Sequence, residues 1–557
     1  MTVGPAIEAF LGRLQQAGVE LWVEDGRLRS RARKDAISHE DADFIRKHKA
    51  VIVEHLTLAV QTAGARTPAD VGTPLSAEQQ RLWTAVELTG PGDAYNVPLV
   101  MHLHGHPDPA VLEQALRTLL GRHAPLRSIL VEVDEGHVHA VPQPIHALPF
   151  THIALKAAVD RDEALSALQA ETRHAFDLRR EIPIRCCHLS TDRDSYLCIT
   201  FHHLVVDAES VAILLSELCE LYTAIARQQA PRLSPQVAQY SEYVTWQRKR
   251  IADPVYQAEA TRYRDEQFHA FEPSRCLIPD IGHRDLPRGT SGHCRIEVPA
   301  DLRPGIDAIA RKHKLTLFAL LQSMLSLYLA EITDGADFAI ASPVSTRDAS
   351  DFSGAVGFFV KDLMLRHVPR QAGETLDQYL PGVRQRFIHA MRFRHATLDP
   401  PDMDAGAVAD PAHHGMAPEV IFAFQTTGAS HMEIGGIPFD IVPMASGTAK
   451  TDLVLYAADA QGILDLSWEY DSALFSEAYI HSLARGFLRF LAELVRNPNA
   501  PIASASLVDA EDEHRLHTLF VPVRATANSN DGRVDSEGTG LVDAWRASAA
   551  RHGDRIA

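Results

Sequence analysis

The chain has 557 residues, with 54 Lys or Arg against 72 Asp or Glu, a formal net charge of −18. That balance gives no broad basic field to draw nucleic acid or an anionic membrane. At 46% hydrophobic and 23% charged residues, the composition excludes a mostly disordered or fibrous chain.

No apolar run approaches the roughly 20 residues of a membrane span. The opening MTVGPAIEAF lacks the charged-then-apolar order of a signal peptide. None of the six cysteines (Cys186, Cys187, Cys198, Cys219, Cys276, Cys294) forms a C-x-x-C pair, so free thiols in a cytoplasmic protein are expected.

The first 62 residues read as a helix, a hairpin and two helices. Ile7, Phe10, Leu11 and Leu14 recur at helical spacing. Val19 to Val23 alternates, and Glu24-Asp25-Gly26 is a hairpin turn signal. The returning strand puts Arg27, Arg29, Arg31 and Arg33 on one face. Ser38 is placed as a helix N-cap with Asp41 in the capping-box position. Ile52, Val53 and Leu56 continue a second helix. Four arginines on one strand reverse the local sign of an acidic protein. They read either as a solvated edge protected from aggregation or as an edge that accepts an acidic peptide by strand addition.

Residues 63–73 are rich in Gly, Ala, Thr and Pro and read as a linker. A body follows whose halves meet near residues 273–292, where three prolines and three glycines mark a crossover. The expected division is 74–272 and 273–512. Residues 513–540, polar and rich in Gly, Ser and Asn towards their end, form a second linker before a short helical tail at 541–557.

The chemistry concentrates at residues 196–226. Tyr196 to Phe201 is a buried strand by composition, and His202-His203-Leu204-Val205-Val206-Asp207 follows at once. Val211, Leu214, Leu215, Leu218 and Tyr222 then form an apolar helical stripe from Ala208 to Ala226. Asp207 falls at the helix start, where a carboxylate satisfies free N–H groups. Histidines at a strand exit suit an imidazole held rigidly at a cleft edge. On spacing alone they are structural histidines, or a base or amine-positioning group. No Glu or Cys stands at a recognised metal-binding spacing, so no metal is expected.

Two resemblances bear on these readings. VELWVEDGRLRSRARKDAISHEDADFIRKHKAVIVEHL, with His48-Lys49 between its last two helices, resembles the tubulysin-type docking domains of megasynthase subunits. That favours the acidic-peptide reading of the arginines. Residues 74–510 resemble the condensation domain of nonribosomal peptide synthetases. The motifs run in order: Ser76 to Trp83 (SAEQQRLW), Arg122 to Ser128 (RHAPLRS), Phe176-Asp177-Leu178 with Pro183, His202 to Asp207, Tyr240 to Trp246 (YSEYVTW), Val356 to Val360 (VGFFV) and Val420 to Gln425 (VIFAFQ). The tail LVDAWRASAARHGDRIA resembles the opening helix of an adenylation domain. This sequence departs from the pattern in three places. Ala208 stands where the family has glycine, Lys361-Asp362 where it has Asn-Thr, and the sixth motif is barely visible near His395 to Leu398.

The resemblance implies an α/β (α+β) fold. A small αββαα docking domain precedes two chloramphenicol-acetyltransferase-like lobes in a V-shaped pseudo-dimer with a tunnel between them. It implies amide formation between a donor acyl thioester and a carrier-bound amine, with no cofactor bound directly and 4'-phosphopantetheine supplied on partner carrier proteins. His203 would be the catalytic group and His202 would pack and orient. Asp207 would pair with Arg127, and Ala208 would line the tunnel. Arg27, Arg29, Arg31 and Arg33 would take the acidic C-terminal tail of an upstream subunit. Downstream adenylation and carrier domains would belong to the same polypeptide. Against this stand an inactive scaffold, which Ala208 and the altered fifth motif would fit, and a related acyltransferase or epimerase. The epimerase motif with Gly-His-Gly character is missing here.

Overall fold

The computed structural model describes residues 72–507 apart from short loops and the longer segment 397–417. Before them it describes only the backbone of one hairpin and three helical residues, Asp41, Ile45 and Lys49. The expected helix at 6–16, most of the later docking helices, Arg33, Thr397-Leu398 and residues 508–557 lie outside the described residues.

The hairpin is β1 (Glu20–Glu24) and β2 (Arg27–Arg31), where the turn signal put it. Next come β3 (Thr73–Pro74), α1 (Ala77–Thr89), β4 (Asn96–Leu103), α2 (Pro109–Arg122), β5 (Ser128–Asp134), β6 (His137–Pro142), β7 (Phe150–Ala154), α3 (Arg161–Thr172) and β8 (Ile184–Ser190). They are followed by β9 (Ser195–His202), α4 (Ala208–Ala226), α5 (Tyr240–Ile251), α6 (Pro254–Gln267), β10 (Ser291–Glu297), α7 (Arg303–His313), α8 (Leu317–Ile332), β11 (Ala339–Ser345) and β12 (Val360–Arg366). The last are α9 (Leu376–Arg392), β13 (Val420–Thr426), β14 (Met432–Ile434), β15 (Ile437–Val442), β16 (Leu453–Ala460), β17 (Ile463–Asp471) and α10 (Glu477–Arg496).

Two six-stranded sheets dominate. The first runs β14-β15-β4-β9-β8-β7, the second β10-β17-β16-β13-β11-β12. The first is covered by α2 and α4 on one face and by α3 on the other, where Ala164 and Leu168 meet Cys187, Leu189 and Cys198, and the second is covered by α8 and α10. Met101, Leu197, Ile199 and Phe201 pack under Leu112, Leu116, Leu214 and Leu218 of α2 and α4. Phe422, Leu455 and Trp468 pack under α8 and α10 through Leu320, Leu325, Phe487 and Phe490. Among the described residues no single helix is long and apolar enough to cross a membrane, and none of the cysteines forms a disulfide.

The expected division at residue 272 is crossed in both directions. The hairpin β14–β15 adds to the edge of the first sheet through β4, with Asp440 opposite His102. Its Ile434 and Phe439 join the first core. Conversely, Tyr256 and Ala260 of α6 pack against Val344, Leu363, Ala390 and Phe393 of the second half. The apolar faces on either side of the expected division are covered wherever a partner of matching shape stands.

Candidate active site

The structure forms the strand-loop-helix expected around the two histidines. β9 is buried along its whole length and ends at His202. His203 to Val205 make one 3-10 turn, and α4 begins at Ala208. Asp207 is its N-cap, its Oδ1 accepting from Ser210 N at 2.7 Å. Ala208, the tunnel-lining candidate, is the first residue of α4 and is exposed.

The two histidines differ in what their rings meet. His202 is buried, and its Nδ1 accepts from Leu204 N at 3.2 Å. Its ring meets Phe176 edge-on, with centroids 6.0 Å apart. Burial, helped by the charge of the neighbouring histidine, lowers its pKa to about 3. Its ring is neutral and packed. His203 has its backbone N–H on Tyr95 O at 2.8 Å. Its Nδ1 lies 2.8 Å from Val206 O, and a carbonyl only accepts, so Nδ1 carries the proton. That leaves Nε2 with a free lone pair. Burial first, then the nearby Lys450 charge, lower its pKa to about 4. His203 is therefore neutral at pH 7, in one defined tautomer, with the edge of its ring set against Phe358 at 5.0 Å.

The partner of Asp207 is not Arg127. Arg347, two residues past β11, brings Nη2 to Asp207 Oδ1 at 3.1 Å and Nη1 to Oδ2 at 3.3 Å. Phe359 N donates to Asp207 Oδ2 at 3.2 Å. Arg347 also reaches Ser210 Oγ at 2.8 Å and Ala355 O at 3.1 Å, and its guanidinium lies over the Phe359 ring at 3.9 Å. Both side chains are almost fully buried, at 4% and 3% exposed. Arg127 instead donates to Gln143 O at 2.8 Å and closes the end of the β5–β6 hairpin. It ends the short turn Ala124–Arg127 that leads into the small sheet β3-β6-β5, whereas Asp207 faces the loop between β11 and β12.

The second motif supports the site by another route. Arg122 and His123 both hold Glu217 of α4, at 2.9 Å and 2.8 Å. Burial would raise that carboxyl, but the hydrogen bonds from His123 and Arg122 outweigh it and hold it at about 2. The helix that starts at Asp207 is thereby anchored two and a half turns along.

The fifth motif closes over the loop from the second half. Gly357 exchanges hydrogen bonds with Ser210 Oγ, at 2.9 and 3.1 Å. A Cβ on Gly357 would stand 1.9 Å from the Tyr240 ring, so the close approach requires glycine. Tyr240 Oη donates to Phe358 O at 2.6 Å, and Tyr243 Oη to Thr346 Oγ1 at 2.8 Å. The first, fourth and fifth motifs thus meet around the histidine loop, with Gln79 Nε2 donating to Leu204 O at 2.9 Å.

The altered pair Lys361-Asp362 divides between the faces of β12. Lys361 is buried and its Nζ donates to Ala396 O. Asp362 is exposed, and it and Glu469 act on Lys450 as counter-charges. Sequence reading missed Arg347 and Lys450. The signal for Arg347 was an arginine just past an apolar strand, in ASPVSTRD, with its nearest carboxylate in sequence, Asp348, beside it and Asp207 140 residues away.

In the hairpin, Arg27, Arg29 and Arg31 occupy alternate positions of β2. They stand in register with Glu24, Trp22 and Glu20 of β1. The two strands form a sheet by themselves among the described residues.

Comparisons with known proteins agree with this geometry. The family described as Condensation domain matches residues 71–517, and the TubC N-terminal docking domain matches residues 7–57. Malpinin synthetase of Mortierella alpina is 29% identical over 489 residues, covering 86% of this chain and 6% of that protein. A linear gramicidin synthase of Brevibacillus parabrevis is 28% identical over 477 residues, covering 83% of this chain and 9% of its own length. The chain therefore spans less than a tenth of these two curated relatives. Among solved structures, the first condensation domain of the CDA synthetase superposes with a TM-score of 0.64 at 19% identity, covering 79% of this chain and all of that one. The X-domain from teicoplanin biosynthesis does so with 0.68 at 20%, covering 79% and 98%.

Proposed function

Because this chain belongs to the condensation domain family and carries a TubC-type docking domain ahead of that domain, we propose that it forms an amide bond between two carrier-bound substrates. The donor is an acyl or peptidyl thioester on an upstream carrier protein. The acceptor is the amine of an aminoacyl thioester on a downstream carrier, each held on a 4'-phosphopantetheine arm. The observation that carries this reading is the neutral His203 with its free Nε2, on a turn clamped from both halves by Asp207 and Arg347. The amine nitrogen attacks the thioester carbonyl, the C–N bond forms, the C–S bond breaks, and the donor thiol leaves.

The low pKa of His203 supports one of two roles for it. A group titrating near 4 cannot take a proton from an ammonium of pKa about 8. Its Nε2 accepts a hydrogen bond from the already neutral amine. It receives the proton only as the C–N bond forms and the nitrogen turns acidic, and returns it to the leaving thiolate. The sign for pH follows. His203 stays neutral above pH 4 and is lost as acceptor only below it. The rate should therefore rise with pH through the acceptor amine's own pKa and show no inflection between pH 5 and 7. A limb near pH 6.5 that disappears in His203→Asn would contradict this assignment.

The two-stranded hairpin, which pairs with no further strand among the described residues, and its alternating arginines support docking of an acidic upstream tail by strand addition. Such charges are screened once the Debye length falls below about 8–10 Å. Titrating the chain with the upstream tail peptide should give binding that weakens with salt. Arg29→Glu with Arg31→Glu should abolish it, while condensation from a fused donor carrier continues. Salt-independent binding, or none lost in the variant, would leave the hairpin a solvated edge.

The direct test is mass spectrometry of the acceptor carrier after mixing the chain with one acyl-loaded and one aminoacyl-loaded carrier. An amide formed only with the wild-type chain supports the proposal. The second reading, a condensation-like scaffold, is favoured by the likeness to the X-domain, which has been solved in complex with OxyB. It predicts no amide in this assay with any donor.

A further inference from the structure

The first sheet carries a second cluster of histidines, away from the His203 loop. His102 lies near the end of β4 and His104 just past it, two residues apart, so both side chains lie on the same sheet face. His104 Nε2 is 2.7 Å from Asp440 Oδ2, and His102 Nε2 is 3.2 Å from Asp194 Oδ2. The two rings stand 4.6 Å apart. His102, His104 and Asp440 each offer one ligating atom, and these atoms all lie within 4.8 Å of one another.

We propose that His102, His104 and Asp440 form a zinc-binding site that pins the crossing hairpin β14–β15 to the edge strand β4. Two imidazole nitrogens with a carboxylate are a zinc donor set, and a fourth position is left to water. Donors at 2.0–2.1 Å around a tetrahedral ion stand roughly 3.3 Å apart, so the three atoms need only close by an ångström or so.

The local structure prepares the donors. His102 is stacked on Tyr196 at 4.6 Å, with the ring planes 9° apart, which fixes its orientation. Asp194, on His102 Nε2, is the orienting carboxylate for ligation through the other ring nitrogen, Nδ1. Asp440 is held opposite His102 by strand pairing, and His104 N donates to Pro438 O at 2.9 Å. The site is open to solvent, with His104 at 43% and Asp440 at 73% side-chain exposure, so an ion can reach it without unfolding. Its ligands come from strands more than 330 residues apart in sequence, and the ion would bridge the two halves of the chain. This proposal is independent of the reading of His203.

The test is isothermal titration of the tag-free chain with zinc chloride, with magnesium chloride as the hard-cation control. One zinc per chain is expected to bind with a micromolar dissociation constant, and magnesium is expected not to bind. His104→Ala and Asp440→Ala should each weaken zinc at least tenfold, and because both side chains are exposed the fold should survive. Saturating zinc should raise the melting temperature by about 3 °C in the parent chain and not in either variant. Absence of saturable zinc binding would overturn the proposal. So would an unchanged isotherm in both variants, which would assign the ion to other histidines or cysteines and leave these residues as two surface ion pairs.

Discussion

His203→Ala should fold and lose amide formation by about 10² or more, the usual worth of a positioned acid–base group. The fold survives because the ring makes one hydrogen bond, to Val206 O, and one edge contact, to Phe358, worth together about 1–3 kcal/mol. His203→Asn sharpens the test. Its amide can still donate to Val206 O, but it offers no basic nitrogen to the amine, so it should be as slow as the alanine variant while melting closer to wild type. His202→Ala should behave in the opposite way, losing stability first, because that ring is 3% exposed and set into Phe176. Single-turnover transfer between loaded carriers, beside thermal melts, reads both. Wild-type rates for His203→Ala on the natural donor would remove this residue from the mechanism. Highly nucleophilic artificial amines make a poor substrate for this measurement, since they need less positioning.

Asp207→Ala and Arg347→Ala should each cost about 3–5 kcal/mol of stability, the first leaving Arg347 only the half-exposed Glu209 at 3.5 Å and the second leaving the Asp207 carboxylate buried without its guanidinium. Removing both should cost well below the sum of the singles, with a coupling of 0.5–3 kcal/mol, roughly the range for residues in contact. Asp207 also caps α4 and accepts from Phe359 N, so part of its loss should remain in the double variant. Arg127→Ala supplies the contrast. That side chain donates to a carbonyl 16 residues away and meets no carboxylate among the described residues, so its loss should add to that of Asp207→Ala without coupling. Denaturant melts of wild type, the three single variants and the two double variants measure both cycles. Additivity between Asp207 and Arg347, or coupling between Asp207 and Arg127, would reverse the assignment.

Sequence alone carried the parts set by local rules. The helix Ala208–Ala226 was read to the residue, because a capping aspartate and an apolar stripe at helical spacing are both written within one segment. The hairpin at 20–31 followed from Glu24-Asp25-Gly26, since turn chemistry needs only its own residues. The ordered motifs carried the family, and the strand exit carried the placement of His202 and His203 between β9 and α4.

What only the tertiary structure decided were partnerships across long separations. Arg347 lies 140 residues from Asp207, and nothing in the period of either segment points to the other. The motif resemblance suggested Arg127 instead, while that arginine's backbone position puts it at the end of another sheet. The exchange of β14–β15 and α6 between halves, and the meeting of His102 and His104 with Asp440, have the same cause. Periodicity tells a segment which face is apolar and which residues share it. Which distant face covers it, and which charge ends up opposite, is settled by shape and packing of the whole chain.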